Sequence, residues 1–195
     1  MKLKMKAGVA IFILLFATSC SKEKINSPSA IVSQSVENAS TLNDSIRIGA
    51  SYGGGIIFWI DSTRKHGLIA DTADLGYFPW WNGTYTTTGA TAKSLGKGLN
   101  NTRKIIASQG KFGYNYAALK CARHKGNGYT DWFLPSSAEL SELHKRREKV
   151  GGFSSGGYWS STELDGSSAI AKKFDIDSVS SNKADSNYVR AVRIF

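Results

Sequence analysis

Apolar positions fall in three regimes along the chain. An unbroken apolar run covers Ala7 to Ala17. Residues 21–46 are rich in Ser, Asn and Ala and hold no aromatic residue. From Arg47 onward, short β-branched and aromatic runs alternate with polar, glycine-marked breaks. The third regime is the foldable unit. Ile56-Ile57-Phe58-Trp59-Ile60 follows Gly53-Gly54-Gly55 and precedes Asp61-Ser62; Gly67-Leu68-Ile69-Ala70 returns after a polar loop, so the pair reads as a β-hairpin. Residues 79–98 show no period and read as a long loop. Asn100-Asn101-Thr102 offers the N-cap of a helix that runs through Ile105 and Ile106 to Gly110. A second helix is expected over about 115–124, where Ala118, Cys121 and Ala122 share one face.

Asp131-Trp132-Phe133-Leu134-Pro135 leads into the clearest local signal. Ser136 and Glu139 have capping-box spacing, in which a hydroxyl accepts from one backbone N–H and a carboxylate reaches back to another. Leu140, Leu143 and Val150 supply the buried face of that helix, Lys145, Arg146, Arg147 and Lys149 suit its negative end, and Gly151 stops it. Strand-like segments follow at 158–162, 169–176 and 188–195, joined by polar loops at 163–168 and 177–187. The reading is a single α+β domain over 47–195 with about five short antiparallel strands and three helices. Trp132, Leu134, Trp159 and Phe195 are expected in its core. Asp131 and the Ser160-Ser161 pair are expected to satisfy buried backbone groups.

The first regime sets an address. Lys2, Lys4 and Lys6 precede an apolar run too short to span a bilayer, which needs about 20 residues. The ending Ala17-Thr18-Ser19-Cys20 resembles the bacterial lipoprotein lipobox, with Ala17 where Leu is usual. That resemblance implies a signal peptide over 1–19, cleavage before Cys20 and diacylglycerol on its sulfur. Each buried CH₂ of such acyl chains contributes about 0.8 kcal/mol, so the protein would be held at a membrane through its lipid. Ser21 after the cysteine resembles lipoproteins sent to an outer membrane, facing the periplasm or the cell surface. Residues 21–46 cannot bury much apolar surface and read as a flexible tether spanning roughly 28 Å.

Composition adds exclusions. The 195 residues are 41% hydrophobic and 11% aromatic, which supports a core, and two cysteines make no disulfide framework. With Cys20 taken by lipid, Cys121 stands alone and reads as a small buried hydrophobe. Without Lys2, Lys4 and Lys6 the chain keeps 22 basic and 15 acidic residues, a net +7. Residues 20–74 hold 5 basic and 6 acidic side chains and residues 131–195 hold 9 of each. The excess lies in residues 75–130, with 8 bases (Lys93, Lys97, Arg103, Lys104, Lys111, Lys120, Arg123 and Lys125) and no acid. The same stretch carries Trp80, Trp81, Tyr85, Phe112, Tyr114 and Tyr116. A concentrated positive field favours an anionic partner; the same bases also read as a solvated face that keeps the protein soluble. The exported address fits an anionic glycan or lipopolysaccharide and argues against nucleic acid.

Several segments together match one known pattern in order. They are Tyr52-Gly53-Gly54-Gly55-Ile56-Ile57-Phe58, His66-Gly67-Leu68-Ile69-Ala70, Asn101-Thr102, Asp131 through Ser136 with Glu139-Leu140, Tyr158-Trp159-Ser160-Ser161, and Val189 through Phe195. Over about residues 50–195 the chain resembles the domain family of the Legionella collagen-like adhesin C-terminal domain. The resemblance implies a C-type-lectin-like fold related to formylglycine-generating (sulfatase-modifying) enzymes, and a binding module or adhesin for sulfated glycosaminoglycan. The adhesin of that family trimerises, and a homo-oligomer is a possibility here, although this chain has no collagen-like stalk.

Signals for catalysis are weak. Formylglycine-generating relatives hold copper with a cysteine pair, and only Cys121 is available. His66, His124 and His144 have no metal-ligand spacing, and no G-x-S-x-G element supports a hydrolase triad. The carboxylates of Glu163 with Asp165, and of Asp175 with Asp177, sit in or beside loops as solvated charges or a calcium site. The expectation is therefore a non-catalytic envelope lipoprotein with no cofactor and no metal. Its candidate ligand residues are Arg103, Lys104, Lys120, Arg123 and Lys125 with Trp80 and Trp81, one of the two tryptophans anchoring its loop. The alternative is a structural or protein-binding lipoprotein that uses loops 163–187, with Lys172, Lys173 and Lys183 as contacts.

Overall fold

The hairpin read from the sequence opens the fold. In the computed structural model, which describes residues 46–173 and 178–195, β2 (Gly55–Ile60) pairs antiparallel with β3 (Gly67–Ala70). Ile57 faces Ile69, and a register shift follows between Ile57 and Trp59. The short β1 (Ser51–Tyr52) folds back on β2 through Gly53 (φ 52°) and Gly54 (φ 85°), left-handed positions that glycine occupies without steric cost. A Cβ on Gly54 would stand 2.6 Å from the Tyr129 ring, so close packing also requires glycine there. The expected signal peptide, Cys20, the expected tether as far as residue 45, and Asp175 and Asp177 lie outside the described residues.

Two sheets carry the domain. One has the order β1-β2-β3-β9, where β9 is Val192–Ile194. The other has the order β4-β8-β5-β6-β7, built from β4 (Tyr77–Pro79), β5 (Gly157–Glu163), β6 (Ser168–Lys173), β7 (Ser178–Asn182) and β8 (Ser186–Tyr188). All pairings are antiparallel except β5 with β8, where Tyr158 pairs with Tyr188. Four helices complete the described residues: α1 (Gly98–Gln109), α2 (Ala117–Arg123), α3 (Ser137–Lys145) and α4 (Arg147–Val150). The fold class is α+β, and among the described residues no helix is long and apolar enough to cross a membrane.

The core has two clusters. Trp80, Trp132, Trp159, Ile57, Ile69 and Ile105 lead the first, and Phe58, Phe133, Leu140, Leu143 and Tyr158 lead the second. Each fully buried side chain of this kind contributes about 1.5–3 kcal/mol of transfer free energy. Trp132, Leu134 and Trp159 are core residues as expected, and Phe195 is partly buried against the first cluster.

The capping box is present. Glu139 N–H donates to Ser136 Oγ at 3.3 Å, and Ser136 N–H donates to Glu139 Oε2 at 2.7 Å. The expected single helix to Gly151 instead breaks at Arg146 (φ −108°), and α4 follows.

Other expectations are corrected. α1 starts at Gly98, ahead of Asn100-Asn101-Thr102, and its N-cap Lys97 makes no side-chain cap bond. Gly98 N–H donates to the buried Glu139 at 3.3 Å, so a neighbouring helix supplies the missing acceptor. Thr102 is used elsewhere, exchanging bonds with the Leu134 backbone. The expected strand 188–195 is divided between the two sheets. Val189 and Ala191 are buried at the crossover, and Arg190 fixes it by reaching Asp74 and the carbonyls of Asp71, Gly151 and Gly152. The loop expected over 177–187 holds β7 and the start of β8, because the backbone of β6 pairs with a serine-rich strand whatever its side chains. Asp131 does not satisfy a buried backbone group; it is exposed and forms a two-point ion pair with Arg193 at 2.8 and 2.9 Å. Ser160 does donate to Ile170 O at 2.7 Å, whereas Ser161 Oγ is buried without a partner among the described residues.

Candidate functional site

Lys93, Lys97, Arg103, Lys104, Lys111, Arg123 and Lys125 are exposed, and Lys120 is half-buried with its ammonium 4.9 Å from the Phe78 ring centre. Among the described residues none of these eight pairs with a carboxylate; the ion pairs there join Lys145–Glu142, Arg147–Glu148, Lys183–Glu163, Arg190–Asp74 and Arg193–Asp131, and His124 contacts Asp71. Lys104 Nζ donates to Gly89 O at 2.9 Å, and Arg123 donates to Lys111 O. α1, which carries Arg103 and Lys104, packs against α2, which carries Lys120 and Arg123. The remaining carbonyl contacts leave the charges uncompensated.

Three expected ligand residues, Trp80, Lys183 and Lys172, are buried. Trp80 is fully buried, donates Nε1–H to Ser160 O at 2.8 Å and has Lys183 Nζ 4.6 Å from its ring centre. It anchors its loop and offers no face to a ligand, while Trp81 is half-exposed. Lys183 is fully buried. Its three N–H groups go to Glu163 Oε1 (2.6 Å), Thr86 O (2.9 Å) and Gly166 O (3.1 Å), which saturates the ammonium. Glu163, also inaccessible, accepts from the N–H groups of Thr88 and Gly89. Lys172 is buried too, so the alternative loop site keeps only Lys173 as an exposed base.

Beyond the buried Trp80 the chain passes through the half-buried Trp81 to the exposed Gly83, Thr84 and Tyr85. The Trp81 and Tyr85 rings lie 4.2 Å apart between centres, tilted by 37°. Between them, Asn82 N–H donates to Gln109 Oε1 and Asn82 Nδ2 donates to Gln109 O, both at 2.6 Å, which ties the loop to the end of α1. Gly83 (φ 102°) runs under the Tyr114 ring, where an added Cβ would stand 3.2 Å from it. Tyr85 is 49%, Tyr114 67% and Phe112 90% exposed, in contrast to the buried tryptophans of the core. The Tyr116 hydroxyl donates to Gly110 O, and burial pushes its pKa up to about 12, so it remains a donor at the base of the Lys111–Tyr114 loop. Tyr85, Tyr114, Phe112 and Lys111 were not among the expected ligand residues. The signal for them is placement: aromatic residues beside Gly83, Gly110 and Gly113, in segments with no apolar period that would turn them inward.

The rest of the molecule offers less chemistry. A cleft of about 390 Å³ is lined by residues 51–55, Thr72 and Asn127. Its wall is set by Arg193 Nη1 donating to Gly53 O and Asn127 Nδ2 to Gly54 O, and no ionisable cluster faces into it. The Cys121 thiol is fully buried, and desolvation raises its pKa far above the range in which a thiolate forms. Asp165 is fully exposed; backbone donation from Ser167 lowers its pKa and holds it in a local turn. Among the described residues no group of three or more His, Cys, Asp or Glu is placed to hold a metal ion.

No family model matches the chain, and no curated protein matches it. Among solved structures, a fimbrial protein from Bacteroides ovatus is similar at 15% identity, with 72% of this chain and 43% of that chain covered and a TM-score of 0.49. The chain thus spans less than half the length of that protein.

Proposed function

We propose that this protein is a non-catalytic cell-envelope lipoprotein whose C-type-lectin-like domain binds anionic polysaccharide. It would be anchored through Cys20 at an outer membrane, facing either the periplasm or the cell surface. The ordered motifs from Tyr52 to Phe195 support the fold reading and its kinship with the collagen-like adhesin domain. The observation that carries the function is the surface of residues 75–130. Seven of its bases are exposed, and none of its eight is neutralised by a carboxylate among the described residues. Lysine presents sulfate or uronate with a point charge and arginine with a planar fork, so a mixed surface suits a polymer bearing several anions. Lipopolysaccharide and sulfated glycan share this chemistry.

Heparin chromatography of the full mature chain tests the reading. Wild type should be retained at low salt and elute steeply as salt approaches physiological strength, because exposed charges are screened within about 10 Å at 0.1 M. Reversing Arg103, Lys104 and Arg123 to Glu should bring the protein to the void. Passage of wild type through the column at low salt would reject the function.

A further inference from the structure

We propose that Trp81, Tyr85 and Tyr114 form a ring-stacking subsite for pyranose sugars, with Lys111 and Arg123 beside it to hold an anionic substituent of the same chain. This rests on the polysaccharide reading and adds a recognition element that charge alone does not give. The three rings converge on one short segment. Trp81 and Tyr85 are 4.2 Å apart between centres, and Tyr114 covers the Gly83 backbone between them in sequence. The segment is fastened on both sides. Asn82 is held by Gln109 through two bonds of 2.6 Å, and the Tyr85 hydroxyl donates to Asn182 Oδ1 at 2.8 Å. Gln109 is itself 5% exposed, so the fastening belongs to the interior of the domain.

A site fixed in this way holds its rings in place before binding, which removes part of the entropic cost of association. The axial C–H face of a pyranose is apolar and flat enough to lie on such rings, while its hydroxyls need polar neighbours. The exposed Thr84 hydroxyl and Asn182 amide supply these at the rim. Arg123 donates to Lys111 O, which places both cations at the end of α1, where Asn82 is also held. Aromatic rings beside cations also fit a single-stranded nucleic acid or an anionic bilayer. The hydroxyl- and amide-rich rim favours the sugar over both.

The experiment compares two polyanions of matched charge on the full mature chain at one salt concentration: a heparin oligosaccharide, built of pyranose rings, and polyphosphate, which has none. Wild type should bind the oligosaccharide at least about tenfold more tightly, the scale of one aromatic contact. Trp81→Ala with Tyr114→Ala should abolish that preference while leaving polyphosphate binding unchanged. Trp81→Phe should retain most of the preference. Equal binding of the two polyanions by wild type, lost only on Lys111→Glu with Arg123→Glu, would overturn the stacking subsite and leave the polysaccharide reading standing. Binding of neither polyanion would remove the polysaccharide reading itself. Stronger binding to a single-stranded oligonucleotide than to heparin would overturn the subsite. So would co-sedimentation with glycan-free phosphatidylglycerol vesicles that disappears in Phe112→Ala.

Discussion

Three bases of residues 131–195 and the bases of residues 75–130 have opposite fates. In residues 131–195, Lys183, Arg190 and Arg193 are 0%, 1% and 9% exposed, and each sits on a carboxylate. In residues 75–130 the bases are mostly exposed and, among the described residues, none does. The partners of the first group come from 20, 116 and 62 positions away, so a distant acid could equally have met the second group. None does. Two acids of the opening segment are already engaged, Asp71 by contact with His124 and Asp74 with Arg190. A basic side chain is therefore structural or available according to tertiary partners, and local composition identified the available ones only because no acid at all lies in 75–130.

The largest effect that would break the comparison lies at Lys183. Lys183→Met leaves the Glu163 carboxylate buried without its counter-charge and should cost about 3–5 kcal/mol, read as a fall in the urea midpoint. Adding Glu163→Leu should recover part of that loss, since a buried pair replaced by apolar side chains removes both desolvation costs. A loss under about 1 kcal/mol in the single variant would mean that this cation is no more structural than those of residues 75–130.

A smaller effect is expected at Asp131, whose pKa is lowered chiefly by the Arg193 hydrogen bonds. A lowered carboxylate contributes stability above its unfolded value, near 3.8, and loses it as pH falls through the folded value below that. Because the Asp131 side chain is 54% exposed, solvent limits the contribution to under about 1 kcal/mol. Asp131→Asn should therefore melt slightly below wild type at pH 6, and the gap should close as pH drops below 4. A gap that widened on acidification would contradict the pairing.

The smallest effect sharpens the other side. Arg103→Glu with Lys104→Glu and Arg123→Glu should shift unfolding free energy by no more than about 0.5 kcal/mol per site, as exposed substitutions usually do. A cooperative loss of several kcal/mol would show these bases to be structural after all.

Local signals were the legible ones. The hairpin of Ile57 and Ile69 and the capping box of Ser136 and Glu139 each lie within a few residues of their own turn, and the sequence states them directly. The start of α1 was hidden because its acceptor, Glu139, lies 41 positions away. Burial raises the pKa of that same carboxyl, a cost that Ser136 and Gly98 offset by donating to it. β7 was hidden because strand pairing needs only backbone, and Ser178-Val179-Ser180-Ser181 has no apolar alternation. Lys183 resembled a loop cation for the same reason: its partner and the carbonyls of Thr86 and Gly166 meet only in three dimensions. Of the binding surface, charge was visible in the sequence and geometry was not. Trp80 and Trp81 are adjacent and alike, and only packing separates the buried anchor from the half-buried ring.

The Lys183–Glu163 pair binds the chain at Thr86, Thr88 and Gly89, just past the exposed rings, while Asn82 is tied to Gln109 just after Trp81. Most fastening points of this loop are backbone groups and buried side chains, with the Tyr85 hydroxyl on Asn182 as an added tie. Selection can exchange exposed side chains such as Thr84 without disturbing what holds the loop in place. A lineage carrying this scaffold could follow a changing surface polymer by drift at a handful of codons, its buried ammonium and carboxylate inherited unaltered.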